Sequence, residues 1–241
     1  MPLEIKNLTK EFDGKKVLDN ISLKVQDGQT LGIVGFSGSG KSTLLKIISG
    51  ILYEDSGQII YPKTSEVAMT FQYSALFDFL NVYENIAFPL VERKEFKGKY
   101  TKKEIDKIVK EKLELVGLSG VEEKYPSELS GGMQKRVGFA RAIVTNPGII
   151  LYDEPTAGLD PVTSTVIEDY IVRLKQELNA ACIVVTHQLS TIKRAVDYCI
   201  MLYQGKIVFK GSTDELLSGK NAYAKQFIDA SIQGPMNIAT K

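Results

Sequence analysis

The sequence has 241 residues, of which 44% are apolar and 24% are charged, and these values exclude a disordered chain and a coiled coil. Thirty Lys and Arg residues against 29 Asp and Glu residues leave a net charge of +1, so we expect no nucleic acid partner. Cys182 and Cys199, the two cysteines, lie in apolar runs, which predicts buried thiols in a reducing compartment rather than a disulfide framework.

The apolar runs of the sequence have the length of strands, far below what a bilayer crossing needs. The first residues include Glu4 and Lys6 and form neither a continuous apolar segment nor an Arg/Ser-rich one. We therefore expect a cytoplasmic chain that does not cross a membrane by itself.

The amino-terminal part is predicted to consist of strands and turns around one glycine-rich loop. Turn signals occur at Asp13-Gly14 and Asp27-Gly28, and a helix is predicted at 42–49, directly after the loop. The predicted strands cover residues 3–5, 21–25, 31–34, 58–61 and 67–71.

The middle of the chain, residues 81–144, has a helical pattern. Thr101 and Glu104 form a possible capping box at the start of one helix. Its apolar face is formed by Ile105, Ile108, Val109, Leu113 and Val116. A second helix is predicted from Gly131 to about Thr145, and we expect Lys135, Arg136 and Arg141 to lie mostly off its apolar stripe.

Strands and helices alternate again in the carboxyl-terminal part. The predicted elements are a strand at 149–153, a helix at 161–178, a strand at 182–186 and a hairpin around Gln204-Gly205. This alternation predicts an α/β fold with a largely parallel sheet, ligand loops at the carboxyl ends of its strands, and residues 81–144 as an insertion. We expect the last dozen residues to be a frayed tail, although Phe227 and Ile228 could instead dock on a partner chain.

Residues 35–43 follow an apolar strand and open a helix, as a phosphate-binding loop (P-loop) does. Glycines allow backbone N–H groups to turn toward phosphates, Lys41 would hold the β and γ phosphates, and Ser42 would bind Mg²⁺. The candidate nucleotide-binding residues here are Gly35, Ser37, Gly38, Ser39, Gly40, Lys41, Ser42 and Thr43. A simple Gly/Ser-rich turn explains the glycines but not Lys41-Ser42 at this offset.

Asp153 and Glu154 end a buried strand about 110 residues further on. Asp153 would bind Mg²⁺ through water, and Glu154 would polarise the water that attacks the γ phosphate, a role worth typically about 10²–10⁴-fold in rate. The alternative is a solvated pair of acids at a strand end.

Ser130-Gly131-Gly132 is a second candidate anion site at a helix start, although an N-cap serine followed by a glycine turn explains it equally. A single nucleotide cannot obviously use both this site and the P-loop of one chain. The two sites together suggest that two chains enclose nucleotide between them.

The P-loop, Leu129–Met133, Asp153-Glu154 with Ala157–Asp160, and a late histidine occur in the order seen in ATP-binding-cassette (ABC) ATPases, which the chain resembles. The resemblance implies ATP and Mg²⁺ as ligands and a head-to-tail homodimer with two ATP molecules at its interface. It also implies one domain over 1–241. Its parts would be a RecA-like core with an antiparallel β subdomain (1–80 and 145–215), a helical subdomain (81–144) and a C-terminal extension (216–241).

The resemblance also implies roles for four further residues. Phe12 would stack on adenine, although composition alone favours a core residue, and Gln72 would reach Mg²⁺. His187, the only histidine, would hydrogen-bond the γ phosphate rather than be an ordinary surface or core group. Asp160 would cap a helix and contact the opposite subunit.

The signature segment departs from the usual pattern because Met133 stands where glutamine is common, and Gln188 replaces an acid after His187. The signature segment with Met133 is similar to that of the ATPases of Mla-type phospholipid transporters, which work with mammalian-cell-entry (MCE) proteins. Phe71-Gln72 and the tail's Gly234-Pro235 are similar to those ATPases as well. The resemblance implies an ATPase on the inner face of the cell membrane that drives lipid transport through a separate permease.

The segment after Gln72 is a candidate permease contact, with packing inside the helical region as its alternative. Its apolar members are Leu76, Phe77, Phe79, Leu80 and Tyr83. Other functions left open are an ABC transporter ATPase for a different substrate, a soluble ATPase of the iron–sulfur assembly type, and a nucleotide-gated binding module without catalysis.

Overall fold

A computed structural model describes residues 2–62, 66–72 and 74–237, and in these ranges nine strands and eight α-helices form two sheets and their covering layers. The strands are β1 (Leu3–Phe12), β2 (Lys15–Val25), β3 (Thr30–Val34), β4 (Ser56–Ile60), β5 (Val67–Thr70), β6 (Ile149–Asp153), β7 (Ala181–Val185), β8 (Tyr198–Tyr203) and β9 (Lys206–Ser212). The helices are α1 (Lys41–Ile48), α2 (Val82–Glu92), α3 (Lys102–Leu115), α4 (Gly131–Ile143), α5 (Pro161–Leu178), α6 (Leu189–Ala195), α7 (Thr213–Leu217) and α8 (Ala222–Ile228). No helix in these ranges has both the length and the apolar character that a membrane crossing requires.

The smaller sheet is antiparallel, with the strand order β2-β1-β4. Phe12 pairs with Lys15, so that only Asp13 and Gly14 form the turn between β1 and β2. Both turn residues have positive φ values, 49° and 75°, as the tight turns of two-residue hairpins require. The predicted turn is confirmed, and the strands predicted at 3–5 and 21–25 are present but extend to the turn, as Leu3–Phe12 and Lys15–Val25.

The larger sheet has the order β5-β6-β7-β3-β8-β9, and only β9 runs antiparallel to its neighbour. β3 and β7 are buried along their whole length, because α1 and the smaller sheet cover one face of the larger sheet and helices cover the other. Cys182 and Cys199 are buried free thiols in this sheet, as predicted, and burial raises their pKa to about 12 and about 11. The predicted largely parallel α/β sheet is confirmed.

Helices α2, α3 and α4 pack together and against the larger sheet. The capping box of Thr101 and Glu104 is confirmed, and Asn81 and Glu84 form another at the start of α2. Lys135 in α4 differs from expectation, because it is buried although it lies off the apolar stripe; its ammonium group donates two hydrogen bonds to backbone carbonyls.

The frayed tail predicted for the last dozen residues is wrong as far as residue 237; residues 238–241 lie outside the described ranges. Met236 is only 1% exposed, and its N–H and C=O both bond the buried amide of Gln226, at 2.8 and 2.9 Å. Asn237 N donates to the Tyr203 hydroxyl at 2.9 Å. Phe227 and Ile228 pack against the core of their own chain.

We predict that Gln226→Ala releases this segment, because Met236 then loses the partners of both its backbone groups. The free energy of unfolding should fall by about 1–3 kcal/mol, measured by urea denaturation, and proteolysis after residue 228 should accelerate. Gln233→Ala is the control, because that side chain is exposed. Equal stability of the two variants would contradict the role given to Gln226.

Candidate nucleotide site

The P-loop connects the buried strand β3 to α1. At two positions of this loop, only glycine fits. Gly35 has φ 140°, and a Cβ atom there would lie 2.3 Å from the carbonyl oxygen of Leu202. Gly40 has φ 102°, and its Cβ would lie 2.8 Å from the carbonyl oxygen of Val17. The loop is therefore pressed against neighbouring backbone on one side and open on the other.

Lys41 is the first residue of α1 and turns its side chain back over the P-loop. Its ammonium group donates to the carbonyl oxygens of Gly35 and Phe36, both at 2.8 Å. Burial lowers the pKa of Lys41, and the nearby carboxylates of Glu154 and Asp153 oppose this shift. The positive charge is thus held at the open side of the loop, beside the positive end of α1.

A cleft of about 340 Å³ brings most of the predicted catalytic and metal-binding residues together. The residues along it are Val17, Ser37, Gly38, Gly40, Lys41, Ser42, Thr43, Gln72, Asp153, Glu154 and Val185. Except for Val17, which lies in β2, they come from the P-loop with the start of α1 and from the ends of three neighbouring strands, which is where ligands bind in parallel α/β sheets.

Glu154 follows β6 and adopts a left-handed conformation with φ 46°. Its N–H donates to the Val185 carbonyl at 2.9 Å, and its Oε1 lies 2.9 Å from Nδ1 of His187. Its Oε2 is buried without a hydrogen-bond partner among the described residues. Beside it, burial and the Glu154 charge raise the pKa of Asp153, while Lys41 opposes that rise.

The cleft fits a nucleotide with Mg²⁺. Glu154, which borders the cleft, has a buried atom, Oε2, without a hydrogen-bond partner within the described part of the chain, and such atoms are normally satisfied in native proteins. A hydroxyl, an amide and a carboxylate from Ser42, Gln72 and Asp153 offer the oxygen atoms that Mg²⁺ prefers. No group of three or more His, Cys, Asp or Glu side chains that could hold a metal ion occurs in the described ranges.

Phe12 lies at the tip of the β1–β2 hairpin and is 43% exposed, so the core alternative is wrong. The Lys10 ammonium nitrogen lies 5.3 Å from the centre of its ring. Phe12 does not border the P-loop cleft, but Lys15 to Val17 across the hairpin border an open cavity of about 840 Å³ together with Phe36 to Ser39. Its stacking on adenine stays a prediction.

The signature segment Ser130-Gly131-Gly132 lies apart from the P-loop cleft. Ser130 caps α4 by accepting the N–H of Met133 at 3.3 Å, and Gly131 borders a separate cavity of about 370 Å³. Gln72 borders both spaces, and neither Ser130 nor Gly132 borders the P-loop cleft. The expectation that a second chain supplies the signature segment to the nucleotide stays a prediction.

Asp160 is confirmed as the N-cap of α5. Its Oδ1 accepts the N–H groups of Val162 and Thr163, both at 3.0 Å, and its Oδ2 accepts the Thr163 hydroxyl. Bonds from Thr163, with that from Val162, lower the pKa of Asp160. A Cβ on Gly132 would lie 2.7 Å from the Thr163 methyl group, so α4 and the start of α5 are in close contact.

Gln134, which follows Met133, forms hydrogen bonds within its own chain. Its amide nitrogen donates to the carbonyl oxygens of Pro126 and Leu129, at 2.9 and 3.3 Å, and so fixes the turn before α4. Sequence reasoning missed Val17, which borders the P-loop cleft, and the contacts of Lys135 near Glu154. No local pattern marks either residue, because both act through contacts distant in sequence.

The sequence pattern of the ABC transporter family matches residues 18–157. Protein TRIGALACTOSYLDIACYLGLYCEROL 3 of Arabidopsis thaliana, described as chloroplastic, is 41% identical over 97% of this chain and 75% of its own length. MlaF of Haemophilus influenzae, the ATP-binding protein of an intermembrane phospholipid transport system, is 36% identical over 98% of this chain and 93% of its own. The probable ribonucleotide transport ATP-binding protein mkl of Mycobacterium leprae is also 36% identical, over 98% and 71%.

A solved dimer of the ATP-binding cassette MJ0796, in a post-hydrolysis state with ADP and Pi, has the same fold. It superposes with a TM-score of 0.77 at 29% identity and covers 88% of this chain and 98% of its own. The predicted fold class, an ABC nucleotide-binding domain with an antiparallel sheet beside a mixed parallel one, is thereby confirmed. The chain belongs to the ABC transporter family as an ATP-binding subunit that hydrolyses ATP with Mg²⁺.

Proposed function

We propose that this ATPase drives phospholipid transport through a separate permease, as a homodimer on the cytoplasmic face of the membrane and together with an MCE-domain protein. ABC ATPase domains in general dimerise and pair with membrane permeases. The lipid assignment is supported by the signature with Met133 and by the identity to MlaF and to the Arabidopsis protein, whose names refer to lipids. The similarity to mkl, named for ribonucleotide transport, makes a different cargo the second candidate.

The observation that carries the catalytic proposal is the meeting of Lys41, Asp153 and Glu154 in one cleft, with His187 bonded to Glu154. Lys41 exchanges its two carbonyl partners for the β and γ phosphates, which the P-loop N–H groups also bind. Ser42, Gln72 and Asp153 would hold Mg²⁺, which would supply positive charge to neutralise the phosphates when bound.

Glu154 is the general base in this proposal. Its carboxylate, whose Oε1 lies 2.9 Å from His187 Nδ1, borders the P-loop cleft and accepts the proton of the attacking water. The oxygen of this water forms a bond to the γ phosphorus as the bond to the ADP oxygen breaks. His187 holds the carboxylate and hydrogen-bonds the γ phosphate. Ser130 and Gly131 of the second chain close over the same phosphate, and Asp160 contacts the opposite subunit.

The permease contact is proposed at a groove of about 290 Å³ between the larger sheet and the helical region. Phe71 and Phe77 border this groove, and Phe79 beside them is 76% exposed. The buried Asn85 amide donates to the carbonyl oxygens of Phe77, Leu80 and Asn81, each at 3.0 Å, and so fixes this segment to α2. Leu76 and Tyr83 pack against the core instead, so the packing alternative holds for them.

The whole proposal is tested by purifying the tagged protein from membranes in mild detergent and identifying bound proteins and lipids by mass spectrometry. We expect a polytopic permease, an MCE-domain protein and bound phospholipid. A permease with another cargo would support the second candidate. Recovery with a non-membrane scaffold alone would favour the iron–sulfur assembly type and would overturn the lipid proposal.

We predict that Glu154→Gln lowers kcat by about 10²–10⁴-fold, because the amide cannot accept the water proton, and that the variant accumulates as a nucleotide-bound dimer. Steady-state ATPase assays and size-exclusion chromatography with ATP measure both effects. The exposed Glu177→Gln is the control. Turnover of Glu154→Gln at the wild-type rate would refute the assignment of the base.

We predict that Phe79→Asp abolishes transport in proteoliposomes while the isolated subunit keeps its ATPase activity, because a charge on the exposed ring position prevents apolar contact with the permease. Tyr53→Asp, at a side chain that is 78% exposed elsewhere on the surface, should change neither activity. Normal transport by Phe79→Asp would place the permease contact elsewhere.

A further inference from the structure

Lys135 extends from the signature helix α4 to the turn that follows Glu154. Its ammonium group donates to the carbonyl oxygens of Pro155 and Ala157, at 2.9 and 2.7 Å. The residue is 8% exposed. Because removing an ammonium group from water costs free energy unless the group is hydrogen-bonded, a buried lysine needs such partners.

The turn bound by Lys135 directly follows Glu154 and so sets the position of the Glu154 backbone and side chain. Ala157 N donates to the Glu154 carbonyl at 3.1 Å, which closes the turn directly after the left-handed Glu154. Non-glycine residues adopt this conformation rarely and keep it only where the surroundings determine it. The two carbonyls bound by Lys135 flank Thr156, in the middle of that turn.

The opposite side of the turn is held by the core. Thr156 is fully buried, and its hydroxyl lies 3.1 Å from that of Thr191 in α6, which donates to Glu168 of α5 at 2.8 Å. The amide nitrogen of Gln188, next to His187, contacts the Thr156 carbonyl at 3.5 Å. Lys135 therefore supplies the contact from the helical region to a turn that the core fixes from its other side.

The charge of Lys135 also belongs to the electrostatics of the site. Burial lowers the pKa of Lys135, and the carboxylate of Glu154 raises it, so the two groups interact. This lysine adds positive charge near the base without bordering the P-loop cleft.

We propose that Lys135 is a positioning residue for Glu154. It binds the carbonyl oxygens of Pro155 and Ala157 and thereby makes the position of the Glu154 carboxylate depend on the signature helix α4. The proposal rests on the proposed role of Glu154 as the base. It predicts that loss of the ammonium group slows the chemical step and leaves nucleotide binding at Lys41 intact.

The test uses the full chain in complex with its permease and compares Lys135→Met with Lys112→Met. Lys112 is a matched control, because it is another partly buried lysine of the helical region, and it donates to Asn146 Oδ1. For Lys135→Met we expect kcat to fall at least about 10-fold while the Kd for a fluorescent ATP analogue changes less than about twofold. Lys112→Met should keep the wild-type kcat even where its melting temperature falls.

Lys135→Arg should keep most of the wild-type kcat, because a guanidinium group can also donate to two carbonyl oxygens. If Lys135→Met does not fold, Lys135→Gln, which keeps a donor but no charge, replaces it in the same comparison. Wild-type kcat in the variant that folds, or an equal loss in Lys112→Met, would overturn the proposal.

A double-mutant cycle with Glu154→Gln separates this proposal from the one on which it rests. If Lys135 acts through Glu154, Lys135→Met causes no further loss of the single-turnover rate in the Glu154→Gln background. A fully additive loss would overturn the positioning role. Wild-type turnover of Glu154→Gln would overturn the base itself, whereas a slow Glu154→Gln with a fast Lys135→Met would overturn only the role of Lys135.

Discussion

The parallel pairing of β7 with β3 on one side and β6 on the other determines where the chemistry lies. Val185 at the end of β7 is opposite both Ile33 and Asp153, so the three strands end at one level. The P-loop, the Asp153-Glu154 pair and His187 all lie at or just after these strand ends. Because β3 and β7 are buried on both faces, a shift of register would exchange the side chains packed on the two faces and disrupt both layers of the core, so the alignment of the site is stabilised together with the fold.

The helical region is connected to this aligned edge through polar contacts at two places. Asn85 fixes the segment that follows Gln72, and Lys135 holds the turn that follows Glu154. Gln72 borders both the P-loop cleft and the cavity beside Gly131. Directional hydrogen bonds tie atoms to one another more strictly than apolar packing does. A movement of α2 and α4 relative to the core would therefore reach both sides of the candidate site.

The predictions that the structure confirms depend on local chemistry. The Asp13-Gly14 turn, the capping box at Thr101 and the N-cap at Asp160 each involve residues a few positions apart, so short segments suffice to specify them. Glycines with Lys41 after an apolar strand specify the P-loop in the same way. The stacking of Phe12 depends on bound nucleotide, and the intersubunit roles of Ser130 and Asp160 depend on a second chain, so these roles stay predictions, as do the domain boundaries.

The sequence by itself determined the alternation of strands and helices, the largely parallel sheet, and the meeting of the P-loop and the two acids at one cleft. Only the tertiary structure decided that Lys135 is buried against the turn after Glu154, that Phe12 is exposed, and that Met236 is packed on Gln226. The physical reason is the range of the interactions. Local patterns report backbone preference and amphipathic faces, whereas a lysine that binds carbonyls twenty residues away leaves no periodic trace in the chain.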